Sequence, residues 1–190
     1  MALKGTGRFC EKTPTNVFIM TELKRWFPTA KFIHIVRDGV DVAASHVDKG
    51  WLCKKSARLG LFEEGGYRNG PIPQFWVDPD RHTEFRSTSD FHRSIWAWRT
   101  HVEAGIAQGR LLGEDSYLEI RYEDLVQQQD LIGEQIIDFL GKMRVADKEA
   151  FLGGLMSASL ASIGKGRRVA TSLDCRWAEK EAGDLLRHLG

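Results

Sequence analysis

Apolar residues recur in two rhythms along this chain. Phe32 to Val36 (FIHIV) is a short, nearly continuous apolar run, preceded by Pro28 and closed by Arg37, Asp38 and Gly39. Such a run between turn signals predicts a buried strand. Before it, Val17, Met20, Leu23 and Phe27 fall at helical intervals behind the start signals Thr13, Pro14 and Thr15, which predicts a helix over 17–27. After it, Asp38 stands where an N-cap belongs, with Asp41 three residues on, as in a capping box, so 40–47 reads as helix. Tyr117 to Tyr122 (YLEIRY) predicts a second strand, and Arg8 to Lys12 a weaker third. Residues 94–106 and 131–140 carry apolar positions at the spacing of core helices, and Trp96 and Trp98 read as packing within the first of them. Strands alternating with helices imply an α/β fold with a parallel sheet flanked by helices.

The rhythm breaks between Trp51 and Asp90, where glycines and prolines punctuate a stretch too long for a plain connection. This stretch reads as a mobile lid or substrate wall inserted in a single domain of 190 residues. Lys and Arg total 27 against 26 Asp and Glu, so nothing in the bulk charge draws nucleic acid or an anionic membrane, and any anion site must be local. Charge is uneven along the chain: 1–50 hold eight bases against five acids, and 113–147 nine acids against three bases. Cys10, Cys53 and Cys175 are scattered and form no CxxC pair, which argues against a disulfide framework or a zinc centre, and no metal is expected. No apolar run approaches the ~18 residues of a membrane span, and the first eight residues do not resemble a signal peptide, so a cytoplasmic protein is expected.

The local anion chemistry centres on strand ends. In open α/β sheets ligands bind beyond the carboxyl ends of the strands, where helix N-termini point their N–H groups. Arg37 directly follows the FIHIV strand, and Ser45 falls about two turns into the next helix, so a guanidinium fork and a hydroxyl can meet one phosphate there. Lys12 ends the third candidate strand, suited to stabilising charge on a leaving oxygen, and Glu11 beside it can orient the lysine or take a proton. Adjacent strand residues face opposite ways, so both do not readily address one ligand.

The run EKTPTNVFIMTELKRWFPTAKFIHIVRDGVDVAAS, with the later YLEIRYEDL and FLG, resembles the sulfotransferases that use 3′-phosphoadenosine 5′-phosphosulfate (PAPS), closest to bacterial and Golgi-type members, over about Phe9 to Gly141. The resemblance implies a P-loop nucleotide-hydrolase-like sheet, PAPS as donor, adenosine 3′,5′-bisphosphate (PAP) as product, and a small-molecule, glycan or lipid acceptor. It also implies that Arg37 and Ser45 hold the 3′-phosphate, that Lys12 lies near the transferring sulfuryl group, and that Tyr122 lies toward the adenine. Lys165, Gly166 and Arg167 are similar to a late Arg-Lys-Gly segment that returns to the 3′-phosphate. Three departures stand out. Gly39 replaces a common Pro, no His follows Lys12 to act as base, and no G-x-x-R-S-G-T-T loop precedes EKTP, Lys4 to Arg8 lying too near Glu11 to leave room for a helix. The expectation is therefore a sulfotransferase lacking its first βα unit, with a noncatalytic nucleotide-binding remnant as the alternative. A kinase-like P-loop enzyme is disfavoured because GxxxxGK[ST] is absent.

Overall fold

The computed structural model describes residues 10–57, 59–60, 70–141, 145–155 and 160–189. Both main predicted strands are present: β1 (Phe32–Val36) and β2 (Tyr117–Arg121) pair in parallel, with Phe32 opposite Tyr117 and Val36 opposite Arg121. A 3-10 turn at Pro14–Phe18 leads into α1 (Met20–Trp26), and β1 leads into α2 (Gly39–Lys49). The short α3 (Lys54–Ala57) and α4 (His82–Ser87) precede the long α5 (Asp90–Leu112), which returns the chain to β2. Beyond β2 come α6 (Tyr122–Gln127), α7 (Gln129–Leu140), α8 (Val145–Leu155), α9 (Lys165–Val169) and α10 (Ser172–Leu189), the last kinked at Ala182. The described residues form a mostly helical α/β arrangement in which a small two-stranded parallel sheet is flanked by helices.

Helix α5 lies directly on the sheet because two of its residues have no side chain. A Cβ at Gly105 would sit 2.4 Å from the His34 ring, and one at Gly109 would sit 2.3 Å from the Tyr117 ring. Under these glycines His34 Nδ1 lies 2.7 Å from the Tyr117 hydroxyl, which donates to Glu119 at 2.7 Å. Burial, reinforced by the Glu119 carboxylate, pushes the Tyr117 phenol above its usual range, so it remains a donor.

The main core joins β1, α2, α5 and α10 through Val36, Val40, Ala43, Ile95, Trp98, Val102, Ala178 and Ala182. Trp96 and Trp98 are buried, as their spacing predicts, Trp96 against Leu52, Val77 and Phe85. A third cluster on the other side of the sheet joins Ile120, Leu125 and Ile136 with Ile33 and Leu118. Helix α10 is held to α5 by a buried carboxylate. Glu181 accepts from Arg81 at 3.1 and 2.9 Å and from Arg99 at 3.2 Å, and it lies 2.9 Å from His92 Nε2.

Several expectations need correction. The 17–27 helix is divided, because Pro14 seeds a 3-10 turn and Ile19 breaks the register before α1. Cys10 to Lys12 are irregular where the third strand was expected, and Arg8 and Phe9, like Lys4 to Gly7, lie outside the described residues. FIHIV is not fully buried: among the described residues β1 has one partner strand, a sheet too narrow to be covered throughout, and Ile35 is 50% exposed. The 51–90 stretch is not irregular throughout, since α3, a 3-10 turn at Pro79–Arg81 and α4 lie within it and Leu52, Val77 and Phe85 join the core. Among the described residues no helix is long and apolar enough to cross a membrane.

Candidate functional site

The two residues between β1 and α2 organise the site. Asp38 caps α2, its Oδ1 accepting from the Asp41 N–H at 2.9 Å. Gly39 opens the helix against Trp98, where a Cβ would lie 2.6 Å from the indole ring, and the Trp98 N–H donates to the Arg37 carbonyl at 2.9 Å. This contact gives a physical reason for glycine at the position: the tryptophan that fixes the turn leaves no space for a side chain. Arg37 then projects from the carboxyl end of β1. Its Nη2 donates to the Ser162 carbonyl at 2.5 Å and to Asp41 Oδ2 at 3.3 Å, and its guanidinium lies 4.9 Å from the centre of the Tyr122 ring. Its Nε is buried with no hydrogen-bond partner.

The late glycine-and-cation segment arrives at the same place. Asp41, whose side chain is wholly buried, accepts from the Gly164 N–H at 2.7 Å and the Gly166 N–H at 2.6 Å. The Tyr122 hydroxyl is 3.0 Å from Ser162 Oγ, and Arg167 donates to Asp38 at 2.7 Å. Thus Arg37, Tyr122, Gly166 and Arg167 are brought together, whereas Lys165 extends away to an exposed pair with Asp48 at 3.3 Å. Arg167 is itself 58% exposed, so its pair with Asp38 is worth little and leaves the guanidinium free to reorient toward an incoming anion.

Ser45 sits partly buried on α2, about two turns beyond Arg37. Glu11 and Lys12 lie on an exposed irregular segment, where the Glu11 carboxylate accepts from the Thr13 hydroxyl and the Asn16 amide and so ties down the start of the 3-10 turn. That turn is held to α5 by Phe18, whose ring lies 4.9 Å from that of His101. His101 and Trp98 are neighbours on one face of α5. One helix therefore supports both the segment bearing Lys12 and the turn bearing Arg37. His46, beside Trp51, is pushed down to about 4 by burial and by the nearby His101 and Lys49, so it is neutral at physiological pH.

Two further residues join the site. Glu123 Oε1 accepts from the Asp38 N–H at 2.8 Å, and its Oε2 lies 3.3 Å from Arg121 Nη2. Arg121 Nη1 and Glu123 Oε2 are buried without hydrogen-bond partners. With Arg37 Nε they make three of the four such side-chain atoms among the described residues, the fourth being His46 Nδ1. Buried polar atoms rarely lack hydrogen bonds, and three that do lie near the carboxyl ends of two paired strands, which makes that edge the candidate site. In sequence these residues flank Tyr122 within RYED, and opposite charges on either side of a strand-end tyrosine were the available signal. A shallow groove of about 560 Å³ lined by Val126, Gln127, Asp130, Leu131 and Leu160 lies at the far end of α6 and includes none of these groups. Among the described residues no cluster of three or more potential metal ligands occurs.

No curated protein and no solved structure matches the chain. A family model described as the sulfotransferase family matches residues 2–57, the stretch that includes Lys12, Arg37 and Ser45, whereas Tyr122 and Gly164–Arg167 lie beyond it. Over that stretch, which takes in β1 and α2, the chain is similar to the sulfotransferase family.

Proposed function

We propose that the chain serves sulfuryl transfer from PAPS to a hydroxyl or amine acceptor, with the nucleotide's 3′-phosphate seated at the carboxyl end of β1. The observation that supports this most directly is the buried, unpartnered Nε of Arg37 beside the capped N-terminus of α2. Nη2 of the same guanidinium is committed to Ser162 and Asp41, so the fork is held in place while Nε has no hydrogen bond of its own. A dianionic phosphate suits that donor and a helix N-terminus together. Ser45 and Arg167 add a hydroxyl and a second cation, and Tyr122 carries the face on which Arg37 lies.

In this reading the bond between sulfur and the bridging oxygen of the donor breaks as a bond from sulfur to the acceptor oxygen or nitrogen forms. Lys12 stabilises the charge developing on the bridging oxygen, and Glu11 takes the proton released by the acceptor. The described parts of 51–90, which include α3 and α4, form the wall against which the acceptor lies, on a sheet of P-loop nucleotide-hydrolase type. The test is calorimetric titration with PAP. One site per chain is expected, weakened by ~2 to 3 kcal/mol in Arg37→Ala, the scale of a hydrogen bond to a charged group. Equal affinities for wild type and variant would remove the phosphate from Arg37.

A further inference from the structure

We infer that Arg121 and Glu123 form a hydroxyl-reading pair, one that distinguishes a ribonucleotide from a deoxyribonucleotide at the sugar carbon next to the phosphate. The inference rests on the reading above, in which that phosphate sits at Arg37. It starts from two atoms, Arg121 Nη1 and Glu123 Oε2, both buried and both without hydrogen-bond partners. One is a donor and the other an acceptor, and they belong to side chains already in contact, Arg121 Nη2 lying 3.3 Å from Glu123 Oε2.

The chemistry of the pair narrows what can complete it. A second anion meets the Glu123 carboxylate, and a cation meets the Arg121 guanidinium. An apolar group leaves both atoms unpaired, each at the cost of a desolvated polar group. A hydroxyl satisfies both, accepting from Nη1 and donating to Oε2.

Position supports the same ligand. Val36 is opposite Arg121 across the β1–β2 pair, and Glu123 Oε1 accepts from the N–H of Asp38, the residue after Arg37. The pair therefore lies at the end of the strand next to the one whose end carries Arg37. A hydroxyl on the carbon neighbouring a phosphate-bearing carbon is close to that phosphate, so groups at neighbouring strand ends can address the two together. Glu123 also links the two halves of the site mechanically, since one of its oxygens holds the Asp38 turn and the other, in ion-pair range of Arg121, has no hydrogen bond of its own.

The experiment compares PAP with its 2′-deoxy analogue by calorimetry on the full chain. Wild type is expected to favour the ribonucleotide by roughly tenfold or more, the value of hydrogen bonds to charged groups. Arg121→Met, which keeps side-chain length and apolar packing, is expected to bring the ratio close to unity. Glu123→Gln keeps an oxygen for the Asp38 N–H, narrows the ratio likewise, and serves if the first variant does not fold. The ratio is the readout because a general disturbance of the fold weakens both ligands alike. Equal wild-type affinities, as when water alone fills the pair, overturn this inference and leave the phosphate at Arg37 standing. A wild-type preference that persists undiminished in both variants also overturns it. Failure of wild type to bind either nucleotide overturns the functional reading and this inference with it.

Discussion

The Gly166 N–H donates to Asp41 Oδ1 at 2.6 Å, and its Cα approaches α2 so closely that an added Cβ would lie 2.4 Å from the Val40 carbonyl oxygen. The contact is to backbone, which cannot swing aside as a side chain would. Gly166→Ala is therefore expected to lift α9 from α2, costing about 2 kcal/mol as overpacking together with a lost hydrogen bond. Urea denaturation measures this directly. An unchanged midpoint and slope would mean that the two helices are not held as tightly as the distance requires.

In the proposed reading Ser45 and Arg37 hold one phosphate, and their variants should behave accordingly. Ser45→Ala is expected to weaken PAP by roughly 1 kcal/mol, less than Arg37→Ala, because a neutral hydroxyl makes the weaker bond. In the double variant the two losses should not add, since both groups hold the same oxygens. Full additivity in a calorimetric cycle would place Ser45 away from the phosphate.

Acid should loosen the packing of α10 on α5. Burial alone would raise the Glu181 carboxyl, but hydrogen bonds from His92 and Arg81 and the charges of Arg81 and Arg99 outweigh it and hold the group at about 2, against an ordinary 4.5. The unfolded chain then binds a proton before the folded one does. The stabilisation, on the order of 3 kcal/mol, is complete above pH 4.5 and disappears as pH falls toward 2. Glu181→Gln removes this contribution, so its stability should lie below wild type at neutral pH and change less between pH 4.5 and pH 2. Parallel stability curves for the two proteins across that window would contradict the assignment.

In the proposed reading Lys12 acts on the leaving oxygen during transfer. With labelled PAPS and a hydroxyl acceptor, Lys12→Ala should lower kcat more than it raises KM, the pattern of a group that acts mainly in the transition state. A variant as fast as wild type would remove the lysine from the chemistry.

What the sequence made legible was local. FIHIV and YLEIRY were readable as strands because apolar runs bounded by turns need no distant information, and Asp38 was readable as a cap because capping is decided within four residues. Asp41 shows the limit. Its position in the pattern is that of a capping-box acid, yet its carboxylate turns away from the cap to Gly164 and Gly166. Arg93 is another case: in sequence it is an arginine at the start of a helix, but it is fully buried, with the Leu52, Phe85 and Thr88 carbonyls accepting its protons. Ile35 errs the other way, an apolar residue in an apolar run that stays half exposed because sheet width is not written in the strand itself. Of the candidate site, Arg37 was legible from its place at a strand end and Tyr122 and Arg167 from the family resemblance, whereas Arg121 and Glu123 required knowing which atoms the fold leaves without hydrogen bonds.

The bond from Arg37 to the Ser162 carbonyl joins residues 125 positions apart. Closing so long a loop carries an entropic cost that local contacts such as the Asp38 cap do not share, and contacts of this kind form late in folding. A ligand that needs Ser162, Gly166 and Arg37 in place has little to bind in a partly folded chain. It should therefore leave the refolding rate nearly unchanged and slow unfolding instead, because it stabilises interactions that the transition state has yet to make.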